Sequence, residues 1–155
     1  MTCDMRLGRI LGLPAVCGGR MVGHVERAIP DEDCRQVAGF VIRRGLGGAK
    51  WAARERVGVL GDVSVVLRGA PERPPRDVDG SLPTVKDESG LTLGRVTDAW
   101  LSPETMTVTA LEVTLGWLED LQRGRLRVSD WAVQPGDDGE MQVLLRRDEW
   151  EGEHD

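Results

Sequence analysis

The sequence predicts an all-β protein: two tandem small antiparallel β-barrels with at most short helical turns. Three observations lead there. Leu111, Val113 and Leu115 alternate with Glu112 and Thr114, the period-2 mark of a half-buried strand. Sliding the chain by 71 residues lays Gly19, Gly23, Val25, Ala28, Val37, Gly45, Arg54 and Val57 over Gly90, Gly94, Val96, Ala99, Val108, Gly116, Arg125 and Val128, an internal repeat in conserved order. Between the copies lies Ala70-Pro71-Glu72-Arg73-Pro74-Pro75-Arg76, where three prolines remove backbone donors and disfavour both helix and central strand. With 155 residues and 40% hydrophobic content, the chain has material for one or two packed units.

Each element follows from local pattern. Leu13-Pro14-Ala15-Val16 is echoed by Leu82-Pro83-Thr84-Val85. Residues 22–29 and 93–101 are β-prone stretches that start at a glycine. Polar clusters with proline follow, Pro30-Asp31-Glu32-Asp33 and Ser102-Pro103-Glu104-Thr105, and these are turn compositions. Residues 36–43 and 107–115 read as the next strands, with Phe40 and Ile42 facing inward as Leu111 and Val113 do. Residues 49–55 are expected to form one or two helical turns. Two apolar runs flank a Gly61-Asp62 turn in 57–67, and Pro135-Gly136-Asp137-Asp138-Gly139 takes that place in 128–145. The predicted units are therefore 1–69, a stiff linker 70–81, 82–146 and a charged tail 147–155. Closing each sheet would remove its edges.

Charge divides along the same line. Residues 1–76 carry +5 and residues 77–155 carry −11, together the −6 of the whole chain. The acidic total argues against general nucleic-acid coating. No apolar run reaches membrane-span length. The glycine-interrupted start lacks a secretory pattern, so a cytoplasmic location is expected.

The string Gly-x-x-x-Gly-x-Val, followed by strand, Pro/Asp/Glu turn, strand and Gly-Asp turn, resembles the PRC-barrel family. That family is named for the cytoplasmic domain of the photosynthetic reaction-centre H subunit, and it includes the C-terminal domain of the bacterial ribosome maturation factor. The resemblance rests on Gly90 to Ala99, Leu111 to Val113, Gly116 and Gly124-Arg125 in one half. In the other it rests on Gly19 to Val25, Gly39 to Ile42 and Val57 to Val63. Arg27 stands where the second copy has Asp98 and the family usually has Asp. The resemblance implies a bacterial interaction or assembly module and brings no shared catalytic residues.

Candidate sites are few. Gly19, Gly23, Gly90 and Gly94 read as backbone requirements. Arg35, Arg43, Arg44, Lys50, Arg54 and Arg56 make the first copy basic. They read either as an anion-binding face or as a face that meets the acidic second copy, in cis or in a homodimer. The second is favoured, since no aromatics interleave with the arginines. Cys3, Cys17 and Cys34 lack the spacing of a zinc site, and Cys34 falls in a predicted turn open to oxidation or crosslinking. His24 reads as a strand-surface imidazole. Gly45 to Lys50 lacks the ending of a phosphate loop, and the acidic 137–140 stretch reads as a hairpin turn. Trp51, Trp117 and Trp131 are expected in the core or at the seam between units; Trp150 lies in the tail. The expected function is a non-catalytic protein-interaction module without metal or cofactor. An RNA- or ribosome-associated factor acting through the basic copy is the second reading.

Overall fold

The computed structural model describes residues 3–75, 83–87, 89–135 and 141–145. It opens on a two-residue strand, β1 (Met5–Arg6), and one helical turn, α1 (Leu7–Ile10). β2 (Pro14–Cys17) then turns into β3 (Arg20–Pro30) through Gly18 and Gly19. Both glycines take positive φ, 59° and 78°, the twist that a two-residue hairpin needs. β4 (Val37–Arg43), β5 (Lys50–Ala53), a 3-10 turn (Arg54–Arg56), β6 (Val57–Leu60) and β7 (Val65–Leu67) complete the first sheet. Its order is β5-β4-β3-β2-β7-β6.

The second sheet holds β8 (Thr84–Lys86), β9 (Thr92–Leu101), β10 (Val108–Thr114), β11 (Leu126–Val128), β12 (Ala132–Pro135) and β13 (Met141–Leu144). A short helix, α2 (Trp117–Arg123), precedes β11. The order is β11-β10-β9-β8-β13-β12, with β1 added beside β9. Strand for strand this is the order of the first sheet. Leaving β1 aside, the first and last strands of each sheet in sequence are the parallel pair, β2 with β7 and β8 with β13. The all-β class is therefore correct, with two curled sheets and two short helices.

Register explains the inward faces. Phe40 and Ile42 are fully buried, and so is Val113, with Leu111 nearly so. Residues from both sheets form one apolar cluster, including Val25, Phe40 and Ile42 from the first and Leu101, Leu111 and Val113 from the second. The seam between the sheets is made by matching turns. Val37 N–H donates to Met106 O (3.1 Å) and Val108 N–H donates to Arg35 O (2.7 Å). Each bond is the other's image under the 71-residue shift. Trp131 closes the seam: its Nε1 donates to Asp33 O at 3.2 Å, and the Arg35 guanidinium lies 4.0 Å from its ring centroid. Arg35 also donates to Trp131 O.

Several sequence expectations need correction. Residues 50–53 are a strand, with helical character limited to the single turn 54–56. The turn that carries Cys34 is not open: Cys34 is 3% exposed, because the matching turn around Met106 packs against it. The N-terminal residues do not stay with the first sheet. Met5 pairs with Leu101 and Arg6 with Trp100, on β9. In the Pro-rich stretch, Glu72 pairs with Trp51 through both backbone groups (2.6 and 2.8 Å). Residues 76–81 of the linker, the 136–140 turn and the 147–155 tail with Trp150 lie outside the described residues.

Candidate functional site

Three of the predicted basic residues, Arg43, Arg54 and Arg56, are held by local partners. Arg43 Nε meets Glu26 at 2.9 Å and Arg43 Nη1 donates to Gly47 O at 3.0 Å. Arg54 donates to Gln36 and lies 3.6 Å from Glu55. Arg56 donates to Ala70 O at 2.9 Å and lies 3.5 Å from Glu72. Arg44 and Lys50 are exposed and form no ion pair with a described residue. Arg43 ends β4, Arg44 follows it and Lys50 starts β5, whereas Arg54 and Arg56 lie beyond the end of β5. Among the described residues, no hydrogen bond or ion pair of these five reaches the second sheet. That role falls to Arg35, with Asp130 and Trp131, and to Arg6.

Arg6 belongs to a cluster that the sequence did not single out. Glu112 on β10 is 4% exposed, the one buried charged side chain among the described residues. It stands where β4 has Val41, which is 1% exposed. Val41 is paired across to Trp51, whereas Glu112 is paired across to Arg127. An apolar cover in one sheet is thus replaced by an ionic one in the other. Arg125 donates to Glu112 Oε1 at 2.9 Å, Thr97 donates to the same oxygen at 3.0 Å, and Arg6 donates to Oε2. Burial pushes the Glu112 carboxyl up. The hydrogen bonds from Arg125 and Thr97, with the charges of Arg6 and Arg125, outweigh it and hold the group below its ordinary value. Arg6 also meets Asp98 at 3.2 Å. The Trp100 ring carries Arg6 and Arg127, 4.9 and 4.5 Å from its centroid, within cation–π range. Chemically the cluster straps the N-terminus to the second sheet.

The outward face of the first sheet is different. Register places Val59 opposite Val66, Val66 opposite Val16, and Val16 opposite Met21. Four apolar side chains therefore cross β6, β7, β2 and β3 in one row, about 14 Å long at ordinary strand spacing. Val59 is 57% exposed, Met21 47% and Val66 38%. The matching row of the second sheet is Ala132, Leu144, Lys86 and Thr92. Lysine and threonine hold the matching strand positions there, so this strand order does not require the apolar row.

The glycines have two separate roles. Gly19 and Gly90 take left-handed φ at turns. Gly23 and Gly94 let neighbouring strands approach: a Cβ on Gly94 would stand 1.8 Å from Thr114 O, and one on Gly23 would stand 2.7 Å from Ile42 Cγ2. His24 is exposed on β3. Burial, then the charges of Asp31 and Asp33, pushes the Cys34 thiol up to about 11. Among the described residues, no group of three or more His, Cys, Asp or Glu is placed to hold a metal ion. No described helix is long and apolar enough to cross a membrane. The chain matches no family model and no curated protein.

Proposed function

We propose that the chain is a non-catalytic protein-interaction or assembly module of the PRC-barrel type. In this reading it has two tandem copies, acts in the bacterial cytoplasm and binds a protein partner through the outward face of the first sheet. The observation that carries this is the row Val59–Val66–Val16–Met21. Exposed contiguous apolar surface costs solubility and marks interaction sites. Lys86 and Thr92 at two of the four matching positions of the second sheet show that the strand order does not require an apolar residue there. The common strand order and the glycine-led strings support the PRC-barrel reading, a family whose members serve as interaction modules.

The test is capture from native lysate with Val66→Lys and, as control, Leu144→Lys at the matching position. The account expects a partner retained by the parent and by the control, and lost with Val66→Lys. Equal capture by all three refutes the face.

One observation favours the nucleic-acid reading: Arg44 and Lys50 are exposed cations without an ion pair among the described residues. That reading requires RNA binding that weakens steeply with salt and is abolished by Arg43→Glu with Arg44→Glu. Arg43, Arg54 and Arg56 already have local partners, which leaves two of the five without an ion pair among the described residues.

A further inference from the structure

The two sheets meet over a cavity of about 30 Å³. The repeat sets its lining. Under the 71-residue shift Ala28 lies over Ala99 and Val37 over Val108, and all four line the cavity. It therefore sits between matching positions of β3 and β9 and of β4 and β10. Alanine at both places of the first pair leaves room that larger side chains would fill. Every described lining residue is Ala, Val, Leu, Pro or Cys. The Cys34 thiol among them stays neutral, its pKa pushed up to about 11. Such a lining favours an apolar occupant over water.

One wall can move. Among the described lining residues only Leu7 and Pro30 are not buried, so the mouth lies between them. Pro30 ends β3 and is fixed in the sheet by its pairing with Val37. Leu7 opens α1, a single turn, and the β1 strand before it pairs with β9 at two positions. Ile10 at the far end of α1 is fully buried and anchors the turn. Movement is thus confined to Leu7 and the strand before it, which polar contacts hold at the sheet surface: Arg6 to Asp98 and Glu112, and Gly8 N–H to Asp98. Short, partly exposed elements of this kind open at low free energy.

We propose that this cavity is a binding site for a small, uncharged apolar molecule, gated by Leu7. Closed, it is far smaller than the about 150 Å³ that holds benzene. With the Leu7 side chain swung out, it takes a single aromatic ring or a short branched alkyl group. Entry of such a molecule displaces Leu7 and so disturbs β1.

The test is an NMR titration of the full chain with benzene and, separately, with xenon. Benzene is expected to shift the Ala28 and Ala99 methyls saturably, together with the amides of Met5 and Gly8. Xenon is small enough for the closed cavity, so it should shift the same methyls and leave Met5 and Gly8 in place. Leu7→Ala removes the gate and should bind benzene roughly tenfold more tightly, since no leucine has to leave its apolar contacts. Ala28→Val and Ala99→Val each fill the void and should abolish both responses. If both valine variants unfold, the Leu7→Ala comparison decides alone. Shifts that do not saturate, shifts centred on Val66 and Met21 instead of the two alanines, or equal benzene affinity in the parent and Leu7→Ala would overturn the proposal. So would unchanged binding in a folded valine variant. Xenon shifts with no benzene binding to Leu7→Ala would leave a packing void only and overturn it as well.

Discussion

Replacing Arg6 by Met keeps the side-chain stem and removes the guanidinium that covers Glu112. Breaking a buried ion pair outright costs about 3–5 kcal/mol, because a charge is left unpaired away from water. Two features make the loss smaller here. Arg125 and Thr97 still hold Glu112 Oε1. The Arg6 side chain is 43% exposed, so its charge is partly screened. One charge-assisted hydrogen bond contributes about 1.5–3 kcal/mol, and the exposed cation–π contact to Trp100 about 0.5 kcal/mol. Discounted for screening, the expected loss is about 2 kcal/mol, or a Tm lower by about 4–8 °C for a chain of this size. Urea unfolding followed by tryptophan fluorescence measures it. Adding Glu112→Val should recover most of the loss, since Val41 fills the matching place in β4 and an apolar isostere often replaces a buried ion without cost. If Arg6→Met stays within about 0.5 kcal/mol of the parent, or the double variant is no more stable than the single one, the reasoning fails.

Three further outcomes follow from the geometry. The Glu112 carboxyl is held below its ordinary value, so its contribution is present above the ordinary glutamate range and is lost as pH falls through the lowered value. The stability gap between parent and Glu112→Gln should therefore be flat near neutrality and shrink in acid, as read by urea unfolding at several pH values. Gly94→Val pushes β9 off the Thr114 carbonyl and should cost more than about 3 kcal/mol. Gly48→Ala, with open space around its Cβ position, should be neutral by the same assay. Cys3 is exposed and Cys34 buried with a raised thiol pKa. A thiol reagent should therefore modify Cys3 at once and Cys34 only on unfolding, as mass spectrometry of the labelled peptides would show.

The legible parts of this fold were those where local pattern and tertiary role agree. Strands β9 and β10 follow the alternation of apolar residues, and Gly94 marks where their backbones close up. β5 was missed because Lys50-Trp51-Ala52-Ala53 has no β-branched residue and alanine favours helix. Pairing of Trp51 with Val41 and Glu72 overrides that preference. α2 is hidden by the repeat itself, since the 71-residue shift lays Trp117–Arg123 over residues 46–52, the loop before β5 and its first three residues. Cys34 read as an exposed turn residue; only the meeting of two matching turns buries it. Glu112 reads as the polar half of a strand alternation, and part of its cover arrives from Arg6 at the far end of the chain. Its one signal was position: it replaces Val41 in the repeat.

Most direct for the central claim is amide hydrogen exchange of the full chain, alone and with the captured partner. The account predicts that new protection is confined to β6, β7, β2 and the start of β3, the strands under Val59, Val66, Val16 and Met21. Protection centred instead on the turn from Arg43 to Lys50, with the row unchanged, would contradict it and favour the anion-binding reading.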